Sequence, residues 1–109
     1  MALNVKSLAA AMVAAAKGKL EDHWPEVREY AQTEARKTAD TLASIERLLL
    51  TGQINTKQAK ALLRMQRNSA QSVLLTIEGL GLLTVESALN AALGAVRDTV
   101  NTAVGFALL

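Results

Sequence analysis

An all-α fold follows from three observations on this chain of 109 residues. Alanine and leucine dominate it, and β-branched residues never form the alternating run a half-buried strand requires. Apolar residues also recur at three- and four-residue steps along most of its length. A chain of this size makes one domain, which buries roughly two thirds of the surface its unfolded form would expose.

Leu8, Met12, Ala16 and Leu20 recur every four residues, with Val5, Ala9 and Val13 beside them and Lys6, Lys17 and Lys19 elsewhere on the wheel. This spacing predicts a first amphipathic helix over residues 3–20. Gly18 weakens its end, while Asp22 offers a capping side chain and Pro25 suits a first helical turn. A second helix is predicted over residues 24–51. Its inward positions are Trp24, Val27, Ala31, Glu34, Thr38, Leu42, Ile45 and Leu48 or Leu49. Thr51-Gly52 closes it with a glycine where a left-handed cap is needed, and Asn55 or Thr56 can cap the next helix.

The third element is the least determined. Ala70, Leu74, Ile77, Gly81, Val85, Ala88, Ala92, Ala95, Thr99, Ala103 and Phe106 form one stripe that crosses Gly79-Leu80-Gly81 without a change of phase. No Asn, Asp or Pro accompanies those glycines. The reading adopted is a helical hairpin followed by one long helix over residues 56–106, on the order of 75 Å at 1.5 Å per residue. The alternative breaks near Gly79–Gly81 and gives a four-helix bundle.

Residues 70–109 carry only four charges, Glu78, Glu86, Arg97 and Asp98, and between Val73 and Val96 apolar side chains cover nearly the whole helical circumference. Such a helix is buried on all sides. The first two helices cover one flank, and other copies of the chain are the simplest cover for the rest. The predicted oligomer interface is Leu74, Ile77, Gly81, Leu82, Val85, Ala88, Leu89, Ala92, Ala95 and Val96. Lipid is the competing cover. Eleven Leu, Ile and Val residues between positions 73 and 96 would contribute roughly −3 to −6 kcal/mol on insertion, and two glutamates at about +2.5 to +3.5 each cancel that gain.

The chemistry available is limited. No cysteine is present, which excludes disulfides, thiolate metal sites and cysteine nucleophiles. Among the carboxylates, Glu34 falls on inward positions of the second helix, and Glu78 and Glu86 lie in the apolar half. The reading preferred for them is exposure at grooves or pairing with arginines, and Glu78 or Glu86 as a buried residue that fixes register in an oligomer is the alternative. A metal-carboxylate bundle pairs such glutamates with Glu-x-x-His. The only histidine, His23, sits in a turn before Glu26 instead. Trp24 and Tyr30 read as core anchors.

Lys57, Lys60, Arg64 and Arg67 form a basic row that could contact an anionic surface such as lipid head groups. No aromatic residue is interleaved with it, so nucleic acid is not expected. No phosphate loop or serine elbow occurs, so no catalytic residue, cofactor, metal or small-molecule substrate is expected.

The first sixteen residues share outward features with a signal peptide, Lys6 preceding an apolar run from Leu8 to Ala16. That run is mostly alanine rather than leucine, and a retained helix in a cytoplasmic protein is preferred over a secreted one. The expectation is therefore a non-enzymatic structural or interaction protein that self-assembles through its C-terminal helix. A membrane-active or lipid-binding protein inserting residues 73–96 is the alternative.

Overall fold

The computed structural model describes residues 2–109. Four helices make up the described fold: α1 (Val5–Lys19), α2 (Trp24–Leu50), α3 (Thr56–Leu75) and α4 (Leu82–Val104), with a 3-10 turn at Glu21–His23. They run up and down in a bundle of 42 × 22 × 19 Å. α1 packs extensively on both α4 and α2, α2 packs on α3, and α3 meets α4 less extensively.

Most boundaries have local causes. The Asn4 side chain accepts a 2.9 Å hydrogen bond from the Ser7 amide and caps α1. Pro25 lies in the first turn of α2, as the sequence predicts. Asp22, expected to cap α2, is instead part of the 3-10 turn, and the N-cap position falls to His23, which makes no side-chain capping bond. At the other end of α2, Gly52 adopts φ +70°. The Gln53 and Gly52 amides then donate to the Leu48 and Leu49 carbonyls, the paired bonds of a Schellman cap. Asn55 opens α3 with a reciprocal capping box: its side chain accepts from the Gln58 amide at 2.8 Å, and its own amide donates to the Gln58 side chain at 2.9 Å.

The single long third helix expected from the sequence is corrected, and the alternative, a four-helix bundle broken near Gly79–Gly81, is the fold that forms. α3 ends at Leu75 and α4 begins at Leu82. Thr76 turns its hydroxyl back onto the Val73 carbonyl at 2.6 Å, Gly79 takes φ +90°, and Gly81 serves as an extended N-cap for α4. Phase continuity does not reveal this break. Two antiparallel helices that face one core both keep their apolar residues inward, and eleven residues from Leu74 to Val85 equal about three helical turns.

Gly79 also touches the α1–α2 turn, because a Cβ placed on it would lie 3.2 Å from His23 Nε2. The contact brings the two turns together at one end of the bundle. Gly79→Ala therefore combines a left-handed backbone with a close approach to the His23 ring, and is expected to cost about 1–3 kcal/mol in urea unfolding. The same substitution at exposed Gly94, inside α4 with no such constraint, provides the control and should be neutral or stabilising.

The core divides into two clusters. One gathers Leu3, Leu8, Met12, Leu42, Ile45, Leu63, Val96 and Val100 toward the chain termini. The other joins Leu20, Val27, Leu74, Leu80, Val85 and Ala88 beneath the two connected turns. The inward positions predicted for α2 are buried from Val27 through Ile45. Trp24 is half-buried, with Lys17 Nζ 5.7 Å from its ring centroid, whereas Tyr30, expected in the core, is 49% exposed. In α4 the buried stripe runs Val85, Ala88, Val96, Val100. The predicted stripe drifts one residue away after Ala92, leaving Ala95 and Thr99 exposed.

At the terminal end, Glu46 is 2% exposed and its carboxylate accepts hydrogen bonds from the Ala2 and Leu3 amides at 3.0 and 3.2 Å. These charge-assisted bonds clamp the segment before α1 onto the last turns of α2.

Candidate functional site

Between the two clusters lies a layer of small and polar side chains. Ala16 of α1, Ala31, Glu34, Ala35 and Thr38 of α2, Ala70 of α3 and Ala88 and Ala92 of α4, with Met12, Leu20 and Leu74 beside them, line a partly open space of about 40 Å³.

Glu34 borders this space at 4% exposure. Its Oε2 accepts from Lys37 Nζ at 3.2 Å, one turn along the exposed side of α2, while its buried Oε1 has no partner among the described residues. The Thr38 hydroxyl donates to the Glu34 carbonyl at 2.8 Å and accepts from Gln66 Nε2 at 3.3 Å, so the layer extends into α3. A buried carboxylate with a half-satisfied hydrogen-bonding shell weakens the fold locally. The other two carboxylates singled out in the sequence behave differently. Glu78 is exposed and Glu86 half-buried, so neither is a buried polar residue within the chain. Among the described residues no cluster of His, Asp or Glu could hold a metal ion.

The residues of the predicted oligomer interface are dispersed. Leu74, Val85, Ala88 and Val96 are buried inside the single chain, and Ile77, Leu89 and Ala92 are half-buried against its cores and the partly open space. Gly81, Leu82 and Ala95 alone remain exposed. α1 accounts for the difference: it packs along α4 and covers the face expected to lie open. The break at residues 76–81 likewise divides the segment 73–96 proposed for insertion, and no helix among the described residues is long and apolar enough to cross a membrane.

Lys57, Lys60 and Arg64 stand exposed on α3. Arg67, the fourth of the row, is half-buried and donates from Nη2 to Asn90 Oδ1 at 2.6 Å, tying α3 to α4 where their packing is thin. The row thus offers three exposed cations and one structural one.

A different surface feature stands out. Leu75, Leu82 and Leu83, which flank the α3–α4 turn, are 39%, 48% and 82% exposed, and half-buried Ile77 lies within the same turn. Sequence reasoning places Leu82 in the interface but misses Leu75 and Leu83 as a group. The available signal is the Leu-Leu pair immediately after Gly81, two large apolar residues in the first turn of a helix, ahead of the inward position at Val85. Glu46 is also missed, although it sits one position from Ile45 and three from Leu49 on the inward side of α2. Comparison with protein-family models, with curated proteins and with solved structures gave no match for this chain.

Proposed function

We propose that the chain is a non-enzymatic structural or interaction protein that associates with copies of itself, the contact beginning at the N-terminal end of α4. The observation that carries this reading is the exposure of Leu75, Leu82 and Leu83 around one turn. Single exposed leucines are ordinary, whereas a group of them at one end of a small bundle is an apolar patch of the kind that marks a contact. Together Leu75, Leu82 and Leu83 expose less than two leucines' worth of surface, so burying it contributes roughly 2.5–5 kcal/mol, a part of what association requires. The space adjoining Glu34 is too small for a substrate of ordinary size, and the groups around it offer no nucleophile paired with a base.

Solution mass by light scattering tests the proposal. The wild-type chain should exceed its 11.6 kDa monomer mass with rising concentration. Leu82→Lys/Leu83→Lys should run at the monomer mass with unchanged helicity, since both side chains are exposed. A wild-type monomer at all concentrations, or a double variant that assembles as before, overturns this reading.

A further inference from the structure

Resting on that reading, we infer that the copies associate head to tail, the turn end of one bundle against the terminal end of the next. The two ends differ in charge. The end that holds the α1–α2 and α3–α4 turns, residues 17–29 and 78–86, carries six carboxylates against three Lys/Arg. Glu21, Asp22, Glu26 and Glu78 are exposed there. The opposite end, residues 2–6, 46–60 and 97–109, carries five Lys/Arg against two carboxylates. One of those two, Glu46, is consumed by the Ala2 and Leu3 amides. Arg47, Lys57 and Lys60 are exposed around the α2–α3 turn.

Both ends also present apolar surface. Leu75, Leu82 and Leu83 lie at the acidic end, and Leu50, 66% exposed at the close of α2, lies at the basic end with half-buried Ile54. Two acidic ends meeting about a two-fold axis would set like charges against each other, as would two basic ends. An acidic end against a basic one places opposite charges around a shared apolar centre. The contact is heterologous: each pairing leaves one unlike end free on each of the two copies, so further copies can add along the 42 Å axis of the bundle, as a chain or a closed ring.

Complementary single-end variants test the geometry. Lys57→Glu/Lys60→Glu reverses charge at the basic end and keeps the leucine end intact; Leu82→Lys/Leu83→Lys does the opposite. Both pairs are exposed, and circular dichroism checks that each variant keeps its helices. Each variant alone should be a monomer, and an equimolar mixture should form a species of twice the 11.6 kDa chain mass, one intact end meeting the other. If Lys57→Glu/Lys60→Glu assembles on its own like the wild type, the contact joins two leucine ends. Self-association then stands and the head-to-tail arrangement falls. A mixture that stays monomeric while the wild type assembles also overturns the arrangement. A monomeric wild type removes both proposals together.

Discussion

Val85→Asp is expected to destabilise the fold by about 4 kcal/mol or more rather than release a folded monomer from an assembly. Val85 has no exposed surface and packs with Leu20, Val27, Leu74 and Leu80 beneath the joined turns. Losing its burial costs about 1.5–3 kcal/mol. A carboxyl placed there without a partner adds roughly 2 kcal/mol or more. The sum, about 4 kcal/mol or more, removes a large share of the 5–15 kcal/mol typical of a domain. Val85→Ala keeps the site apolar and should stay folded with a lower urea midpoint. Far-ultraviolet circular dichroism and solution mass, measured on the same samples, separate the two assignments of α4. An interface residue changed to Asp would leave helicity intact and lower the mass. A core residue changed to Asp loses helicity outright or at a much lower urea concentration than the wild type.

That contrast bears on how the sequence misleads about burial. The periodicities of α1 and α2 are readable because both helices have polar faces: Lys6, Lys17 and Lys19 in one, and a long alternation of charged and apolar residues in the other. Inward positions then follow from the wheel, and Leu8, Met12, Val27, Leu42 and Ile45 are buried as expected. The turn at Gly52 and the cap at Asn55 carry residue-specific chemistry and are equally legible. The last forty residues lack both kinds of signal. With few charges to mark an outer face, apolarity all round reads as excess surface that only another molecule could cover.

The physical resolution is that alanine counts as apolar but covers little. Much of α1 is alanine, and its narrow side chains let it lie close against α4, hiding Val96 and Val100 in the terminal cluster. Beside Leu8 and Met12, which enter the same cluster, the alanines of α1 bury its neighbour's large residues while adding little bulk, so a count of bulky apolar residues underestimates the cover available within the chain. What remains outside after α1 is seated is Leu82 and Leu83 at the first turn of α4, with Leu75 across the break. Periodicity thus points to the segment that keeps exposed leucines and overstates their extent. Tyr30 shows the converse: an aromatic ring expected in the core that is 49% exposed, next to buried Ala31.

The layer between the two clusters leads to the second expected result, that Glu34→Leu stabilises the bundle. The wild-type carboxylate is withdrawn from water, and its one side-chain partner is Lys37, whose own side chain is 55% exposed. An ion pair with one member in solvent returns little, whereas Oε1 keeps the full cost of lost hydration without a partner among the described residues. Replacing buried ionic groups by apolar ones of similar volume commonly gains about 1–4 kcal/mol. Here a leucine would also reach into the adjoining space of about 40 Å³ among Ala16, Ala70 and Ala92. A gain of about 1–2 kcal/mol corresponds to roughly 5–10 °C in Tm for a domain of this length. Glu34→Ala, which enlarges the space without filling it, should fall well below Glu34→Leu. Thermal unfolding of the three proteins gives the order Leu above wild type and Leu above Ala. A wild type more stable than Glu34→Leu would mean that the carboxylate's interactions outweigh its burial, and that the polar layer holds the two halves of the core together rather than weakening their junction.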